Sequence, residues 1–174
     1  MQVKYDPDFA VRRKLLRLLR DGLAGAEQLH DIVEIVRRAA RAIFSADGVA
    51  FVLNEDGHCH YVEENAIAPL WKGLKFPMEH CISGWAMIHG QTAAIENVYQ
   101  DDRIPHDVYR QTFVASLIMV PVSRTAPVAA IGAYWRIRQK FSAEMVALAE
   151  ELAAEVGAAM HSLAGAHPRL VSVA

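Results

Sequence analysis

The hydrophobic positions at the start of the chain recur with helical spacing. Apolar residues on a background of arginine and lysine predict an amphipathic helix over residues 9–23, and a clearer apolar stripe predicts a second helix over residues 27–44. The Ser-Ala-Asp-Gly stretch at 45–48 is rich in turn-forming residues and ends the second helix. The chain therefore begins with two helices before any strand pattern appears.

The pattern then changes to the two-residue period of β-strands. Residues 49–53 and 58–63 predict the two strands of a hairpin, joined by an Asn-Glu-Asp-Gly turn. Successive side chains of a strand point to opposite faces, so the second strand presents two different surfaces. One surface carries His58, His60 and Val62, and the other carries Cys59, Tyr61 and Glu63.

The stretch over residues 76–121 holds several short elements. Their predicted order is an extended piece at 76–78, a helix at 81–89 stopped by Gly90, a strand at 91–98, a helix at 106–112 and a strand at 115–122. Residues 128–136 predict the last strand. Ser142 is a good N-cap for a long helix over residues 143–164.

This order of elements predicts an α+β fold. A central antiparallel β-sheet is expected to carry the N- and C-terminal helices on one face. The short helices and loops of residues 76–121 are expected on the other face, where they form a pocket. We divide the chain into an N-terminal helical lead-in at 1–25, a domain at 26–164 and a flexible tail at 165–174.

The last predicted helix carries an apolar seam with heptad spacing. This seam fits two arrangements: packing on the domain's own sheet, or pairing with a helix of a second copy in a homodimer. The homodimer hypothesis selects apolar positions on both terminal helices, namely Leu15, Leu19, Leu152, Val156, Ala159 and Leu163.

Composition narrows the classes of function. At 174 residues the chain suits one domain with a full core. A formal net charge of -2 gives no field that would gather nucleic acid or anionic lipid, so neither partner is predicted. No apolar run reaches the ~20 residues that span a bilayer, and the start of the sequence is no signal peptide. Two cysteines are too few for a disulfide framework, so we expect a cytoplasmic protein with reduced thiols.

Cysteine and histidine positions suggest chemistry but leave alternatives open. Cys81 opens a predicted helix, where backbone N–H groups lower a thiol pKa and permit a redox or covalent role. The alternative is a small, buried, apolar side chain. His58 and His60 share a strand face and, with His80 or Cys81 nearby, would begin a metal site. Because no further ligand stands at a recognised spacing, we predict no metal site.

Aromatic residues are the other candidates for a binding role. Trp71, Trp85, Tyr109 and Tyr134 would line an apolar ligand pocket, or alternatively form core and lid. The sequence contains no hydrolase triad and no phosphate-binding loop. We therefore assign no catalytic residue and expect a domain that holds or senses something, not an enzyme.

Several motifs resemble the GAF domain, a small-molecule-sensing module of bacterial signalling proteins. They are ISGWA at 82–86, IENV at 95–98 with Asp101-Asp102-Arg103 after it, SLIMVP at 116–121 and IGAY at 131–134. The resemblance covers about residues 27–160 and is closest in kind to GAF domains of two-component sensor histidine kinases and phytochrome-like proteins. It implies a sensory or regulatory domain that binds a small molecule or transmits a signal through a helical dimer interface. Any histidine kinase or other output domain would lie outside this chain.

The resemblance also bears on the ligand. Bilin-binding GAF domains carry a Cys-His pair on the helix before the last hairpin, but residues 106–112 contain no cysteine. Covalent bilin is therefore disfavoured, and the cofactor stays unassigned. The Asn-Lys-Phe-Asp-Glu signature of cyclic-nucleotide GAF domains is absent. Free methionine sulfoxide reductases use the same fold with several cysteines, so a thiol-dependent reductase using Cys59 and Cys81 is one alternative. A ligand-free dimerisation module is another.

The acidic pair at 101–102 completes the candidate pocket. Its surroundings resemble the Asp-Ile-Pro turn of phytochrome GAF domains, in which the aspartate contacts the tetrapyrrole, although Arg103 interrupts the match. The full set of pocket candidates is Trp71, Cys81, Trp85, Asp101, Asp102, Tyr109, Ser116 and Tyr134.

Overall fold

A six-stranded antiparallel β-sheet forms the centre of the protein. The computed structural model describes residues 7–123 and 125–166. The strands are β1 (Gly48–Glu55), β2 (His58–Ala66), β3 (Lys75–Pro77), β4 (Ala93–Ile95), β5 (Ser116–Val122) and β6 (Ala129–Trp135). The helices are α1 (Pro7–Leu23), α2 (Leu29–Phe44), α3 (Ile82–His89), α4 (His106–Tyr109) and α5 (Ala143–Ala166). Two single turns of 3-10 helix lie at Met78–His80 and Val98–Gln100.

The strands pair in the order β3-β2-β1-β6-β5-β4. Helices α1, α2 and α5 pack on one face of this sheet, where their apolar stripes form a first core with the inward side chains of the strands. Helices α3 and α4 and the neighbouring loops pack on the other face and form a second core. The predicted α+β fold, with terminal helices on one face and short elements on the other, is confirmed.

Half of the residues predicted for the dimer interface are buried in the first core. Leu19, Leu152 and Val156 are at most 2% exposed and lie between the helices and the sheet of the same chain. Ala159 and Leu163 are partly buried against this core, as is Leu15. Burial within their own domain uses the apolar surface of these three side chains, while pairing of the terminal helices with a second copy stays a prediction.

A hairpin turn and a bulge orient β2. Asp56 and Gly57 have positive φ angles of 50° and 77°, which suits the tight Asp-Gly turn predicted between β1 and β2. Further along, Phe51 pairs with Glu63 but Val52 pairs with Tyr61, so Val62 is an extra residue in β2. A bulge of this kind changes which side chains share a face.

The bulge corrects one predicted surface. Strict alternation places Glu63 on the same face as Cys59 and Tyr61. In the structure Glu64 pairs with Ala50, a member of the second core, so Glu64 and not Glu63 shares that face. Glu63 instead pairs with Phe51 of the first core.

Several predicted boundaries also change. The strand predicted at 91–98 is only Ala93–Ile95, because the Asn97 side chain caps the 3-10 turn after it by accepting from the Tyr99 N–H at 3.1 Å. The helix predicted at 106–112 ends at Tyr109, whose carbonyl oxygen accepts a hydrogen bond from the Thr112 hydroxyl at 2.8 Å. Ser142 caps α5 as predicted, since its Oγ accepts from the Met145 N–H at 3.2 Å.

At the C-terminus α5 continues to Ala166, so the first residues of the predicted tail are helical. Residues 167–174, the rest of that tail, lie outside the described residues. Across the described ranges, no helix combines the length and the apolar character that crossing a membrane requires.

Candidate functional site

An aromatic cluster fills the middle of the second core. The Trp71 ring lies at its centre, with ring centroids 4.8 Å from Tyr109, 5.5 Å from Tyr61 and 5.5 Å from Tyr134. All four side chains are buried. They come from β2, the loop after it, α4 and β6, so only the folded sheet brings them together.

Two hydroxyl groups in this cluster lack partners. The hydroxyls of Tyr109 and Tyr134 are buried and make no hydrogen bond to any described residue. Burial raises the pKa of both phenols well above the ordinary value, so each remains a protonated donor. A buried donor without a partner costs about 1–3 kcal/mol, and such groups mark positions that a ligand atom can satisfy.

Gly132 makes room for one of these phenols. It lies two residues before Tyr134 on β6 and therefore on the same face. A Cβ atom at Gly132 would overlap the Tyr134 hydroxyl. The IGAY motif thus places a large ring over a residue without a side chain.

The loop that carries Trp71 is held by a single carboxylate. Glu64 Oε1 accepts from the Leu70 N–H, and its Oε2 accepts from the N–H groups of Trp71 and Lys72, each at 2.9 Å. The bulge in β2 directs Glu64 to this face. The same loop is tied to β2 through the Gly73 N–H, which donates to the Tyr61 carbonyl oxygen at 2.8 Å.

Both cysteines lie in the same core, next to a buried serine. Cys59 is on β2 and Cys81 is the N-cap of α3. The Ser83 hydroxyl donates to Cys81 Sγ at 3.3 Å, and the Tyr61 hydroxyl lies 3.1 Å from Ser83 Oγ. Tyr61, Ser83 and Cys81 therefore form one buried hydrogen-bonded chain.

Close backbone contact fixes the position of Cys81. A Cβ atom at Gly84 would overlap the carbonyl group of Met78, so α3 approaches the 3-10 turn at Met78–His80 as closely as a glycine permits. Cys81 Sγ lies 3.5 Å from the Pro77 carbonyl oxygen at the start of that turn.

The two thiols differ in acidity. A hydrogen bond from Cys59 lowers the pKa of Cys81 to about 6, and the Ser83 hydroxyl and the Gly84 N–H act in the same direction against burial. The same bond with Cys81, together with burial, raises the pKa of Cys59. Cys81 is therefore the thiol that ionises first, with Cys59 as its proton donor.

The rim of the second core carries a stack of charged and aromatic groups. Trp85 packs against the core and stacks on His89 at 4.6 Å, and the Arg103 guanidinium lies 4.4 Å from the Trp85 ring. Asp101 accepts two hydrogen bonds from the Arg103 guanidinium, at 2.9 and 2.6 Å, and one from the Arg103 backbone N–H at 3.0 Å. These bonds hold the pKa of its carboxyl below the usual range. Asp102 is exposed.

The predicted pocket set thus divides. Trp71, Cys81, Tyr109 and Tyr134 lie in the second core and Trp85 lies against it. Asp101 is occupied by Arg103 at the surface, and Ser116 donates to the Ile137 carbonyl oxygen at 2.7 Å. The structure therefore gives Ser116 a bond to the backbone in place of a position on the aromatic cluster.

The pocket residues predicted from the sequence did not include Cys59, Tyr61, Ser83 and Glu64. The two-residue period of β2 does put Cys59 and Tyr61 on one face, which was the usable indication. No local sequence pattern predicts that Glu64 lies on this face, because the bulge in β2 decides it.

The histidines on β2 make other contacts. His58 is exposed and its Nδ1 lies 3.1 Å from the Asp56 carbonyl oxygen, while His60 Nδ1 lies 2.9 Å from Glu55 Oε1. Within residues 7–123 and 125–166, no three His, Cys, Asp or Glu side chains are grouped to hold a metal ion.

The chain belongs to the GAF domain family, whose model matches residues 26–161. That match spans the second core, with all four residues of the aromatic cluster, and the first core apart from the residues of α1. The comparison with curated proteins found no match.

Solved structures with this fold come from several classes of protein. The GAF domain of an Acinetobacter phosphoenolpyruvate-protein phosphotransferase is 16% identical with a TM-score of 0.76, over 91% of this chain and 97% of that one. A free methionine-R-sulfoxide reductase from Neisseria meningitidis, in complex with its substrate, is 16% identical with a TM-score of 0.81, over 95% and 98%. The phycocyanobilin-bound GAF domain of a cyanobacterial phytochrome is 15% identical with a TM-score of 0.75, over 90% and 97%. At these identities the likeness is one of fold alone.

Proposed function

We propose that this chain is a sensory or regulatory domain of bacterial signal transduction that binds a small molecule in the second core. The observation that carries the proposal is the pair of buried, unpartnered hydroxyls of Tyr109 and Tyr134 beside the Trp71 ring. Solved phytochrome and phosphotransferase GAF domains of the same fold support the signalling context. The proposed setting is the cytoplasm.

The chemistry of the second core restricts the ligand. Apart from Ser83, its buried residues are apolar, aromatic or thiol-bearing, and no Asp, Glu, Lys or Arg is buried among the described residues. The Glu64 carboxylate beside it is occupied by three N–H donors. A matching ligand is small, uncharged and largely apolar, and presents a hydrogen-bond acceptor to the two phenols. A covalently attached bilin is disfavoured, because α4 contains no cysteine.

Entry of a ligand requires the loop at residues 67–74 to move. Trp71 occupies the centre of the core, and the loop that carries it is anchored by Glu64 and by Gly73, whose φ of 85° suits glycine. Displacement of Trp71 alters packing against Tyr134 on β6, and β6 also contributes Ala133 and Trp135 to the first core. The signal would thus cross the sheet to the helices as a shift between two packings.

We propose that the signal leaves the domain through the helices that cover the first core. On α1, Val11 and Leu18 are 57% exposed and Leu15 is half-buried between them, at spacings of four and three residues. We propose this stripe, in place of the buried seam, as the surface through which α1 pairs with a second copy or with an output domain such as a histidine kinase.

The first experiment addresses the ligand. Protein purified from its own host is examined by native mass spectrometry and by its absorbance spectrum, and a bound mass or a visible band identifies the ligand class. The purified domain is then melted with a panel of small uncharged metabolites, since a ligand that binds only the folded state raises Tm. The double variant Tyr109→Phe, Tyr134→Phe is expected to lose that rise.

The matched control is Tyr99→Phe, because Tyr99 is 41% exposed and lies outside the second core. A Tm unmoved by the whole panel, with no bound mass, would favour a ligand-free dimerisation module. A response retained in full by the double variant would remove the two phenols from the proposed site.

The second experiment addresses the loop. In Glu64→Gln, an amide group replaces one of the two oxygens that accept backbone N–H bonds, and we expect a loss of about 1–3 kcal/mol with faster exchange of the Leu70, Trp71 and Lys72 amides. Glu96→Gln is the control, because Glu96 is exposed. Unchanged amide exchange in Glu64→Gln would contradict the anchoring role.

The third experiment addresses the dimer. Leu18→Glu puts a charge into the exposed stripe of α1 and is expected to convert a dimer into a monomer in light scattering. Arg17→Glu is the control on the same helix, since Arg17 is exposed and lies about a third of a turn away from the stripe. A Leu18→Glu protein that remains dimeric would place the interface elsewhere.

A thiol-dependent reductase is the second candidate function, because the structure brings Cys59 and Cys81 into one core. The solved reductase of the same fold suggests free methionine R-sulfoxide as the substrate to test. Conversion of that sulfoxide to methionine by the reduced protein, lost in Cys81→Ser, would support it. No turnover above the Cys81→Ser background would remove it.

A further inference from the structure

Ser83 connects side chains of α3 and β2. Ser83 Oγ contacts Cys81 Sγ at 3.3 Å on α3, and Tyr61 of β2 lies 3.1 Å from the same oxygen. Cys59 lies on the same face of β2 as Tyr61 and pairs with Phe76 of β3, while Cys81 Sγ contacts the carbonyl oxygen of the next residue, Pro77. The fold therefore brings the two thiols into the same part of the second core, and each shifts the pKa of the other.

We propose that Cys59 and Cys81 form a dithiol that hydroperoxides convert into an intramolecular disulfide between β2 and the start of α3. This chemistry goes beyond the proposed ligand site and does not require a bound small molecule. The proposal rests on three features of the structure. The two cysteines lie in the same core, the Ser83 hydroxyl contacts both β2 and α3, and Cys81 lies just beneath the surface.

Access favours Cys81 as the sulfur that reacts first. Cys81 is 6% exposed whereas Cys59 is 0% exposed. Cys81 Sγ lies 3.5 Å from the Pro77 carbonyl oxygen, and the two residues that precede Cys81 in the chain, Glu79 and His80, are exposed. A small oxidant is therefore expected to reach Cys81 before Cys59. The lowered pKa of the Cys81 thiol supports the same order, since the thiolate is the nucleophile.

The reaction has two steps. In the first, the Cys81 thiolate attacks the terminal oxygen of the hydroperoxide, so that an S–O bond forms, the O–O bond breaks and the leaving alkoxide takes a proton from solvent. In the second, Cys59 loses its proton and attacks Cys81 Sγ, so that the S–S bond forms, the S–O bond breaks and the hydroxyl leaves as water with that proton. Two thiols and one hydroperoxide give one disulfide, one alcohol and one water. Ser83 Oγ is placed to stabilise the leaving hydroxyl.

The disulfide would change the second core. Cys81 Sγ would exchange its bond with Ser83 for the covalent bond to Cys59, which frees the hydrogen-bonded chain from Tyr61 to Ser83. Because Tyr61 packs edge-on against Trp71, the redox state would reach the aromatic cluster. The tie between β2 and α3 also closes a loop that includes the residue 67–74 segment.

The test uses the full chain and hydrogen peroxide. The sequence holds only two cysteines, so one intramolecular disulfide is the single internal pairing available. After treatment, peptide mapping under non-reducing conditions is expected to join the Cys59 and Cys81 peptides with the loss of two hydrogens, and dithiothreitol is expected to separate them. Mapping is needed because the methionines also gain oxygen.

Two variants separate the roles of the sulfurs. Cys59→Ser is expected to accumulate a sulfenic acid at Cys81, trapped by dimedone, and Cys81→Ser is expected to leave Cys59 unreacted over the same period. Near-ultraviolet circular dichroism reports that both variants remain folded. Trapping at Cys59 but not at Cys81 would reverse the assignment, and an intermolecular linkage would overturn it.

The wild-type protein alone also decides the proposal. If the folded protein keeps both thiols at a peroxide concentration that oxidises them in urea, the dithiol is inert and the proposal fails. Free methionine sulfoxide is the parallel oxidant, and hydrogen peroxide is expected to oxidise the pair at least tenfold faster. An equal or faster reaction with the sulfoxide would overturn the hydroperoxide assignment and support the reductase. Failure here leaves the ligand-binding proposal intact, because that proposal rests on Tyr109 and Tyr134.

Discussion

The two faces of the sheet are both buried, yet they are built from different chemistry. The helix-covered face is a core of aliphatic residues with few aromatic rings, and the indole of Trp135 donates to the Ser45 carbonyl oxygen at 3.1 Å. The other face combines aromatic rings with two thiols, a buried serine and two phenols that lack partners. Polar groups in such a place are costly unless they are satisfied. The two faces thus differ in chemistry: aliphatic packing dominates under the helices, and the buried thiols, serine and unpartnered phenols lie together on the other face.

The largest expected effect tests the stabilising face. Leu152 is 0% exposed in the first core, and Leu152→Ala is expected to lower the free energy of unfolding by about 2–5 kcal/mol because it leaves a cavity. Urea denaturation measures this loss. Leu18→Ala is the control at a 57% exposed position, with an expected change of about 0.5 kcal/mol or less. If Leu152→Ala and Leu18→Ala lowered the free energy of unfolding by similar amounts, Leu152 would not be a core residue in solution.

The next effect tests close packing on the reactive face. Gly84→Ala would drive a Cβ into the Met78 carbonyl group and is expected to cost about 1–3 kcal/mol, with a shift of Cys81. In α5, Gly157 has its nearest non-neighbouring atom 3.5 Å from an added Cβ, so Gly157→Ala is expected to gain up to about 1 kcal/mol. In thermal unfolding, Tm is therefore expected to fall in Gly84→Ala and to rise in Gly157→Ala. If Gly84→Ala were as stable as wild type, the 3-10 turn at residues 78–80 would be able to move away from the added Cβ at little cost.

A smaller effect compares satisfied and unsatisfied hydroxyls within the reactive face. Tyr61→Phe removes a bond to Ser83 and is expected to cost about 0.5–1.5 kcal/mol. Tyr109→Phe and Tyr134→Phe remove hydroxyls that have no described partner, so each is expected to be neutral or slightly stabilising. Urea midpoints of the three variants decide the matter. A cost at Tyr109 or Tyr134 equal to that at Tyr61 would show that those hydroxyls are satisfied in solution.

The smallest expected effect on stability concerns pH. The folded pKa of Cys81 is lowered to about 6 from 9.0, so its contribution to stability is absent below about pH 6 and grows as pH rises toward 9. The raised pKa of Cys59 opposes this gain at higher pH, so the net change is small. The titratable groups that face Cys81 are Cys59, Tyr61, His80, Tyr109 and Tyr134.

Thiolate absorbance measures the same titration directly. In wild type it is expected to rise near pH 6, and Cys59→Ala is expected to raise that midpoint because the side chain that most lowers the pKa of Cys81 is lost. Cys81→Ser is the control that removes the transition. A midpoint near the ordinary thiol value in the folded wild type would contradict the pairing of the two sulfurs.

The sequence by itself determined the features that have local causes. The apolar stripes over residues 9–23 and 27–44, the Asp-Gly turn, the Gly90 stop and the Ser142 cap each act over a few residues, and the structure confirms them. The family motifs lie on these same elements, so fold and family were both within reach of the sequence.

Tertiary structure decided which face each residue serves. The bulge at Val62 moved Glu64 to the second core, and packing between α1, α2 and α5 buried a seam whose spacing suited a dimer equally well. The Cys59–Cys81 pair and the aromatic cluster join segments far apart in the chain. Periodicity shows that a surface is apolar or shared, but only strand register and the layers packed on the sheet determine what covers it.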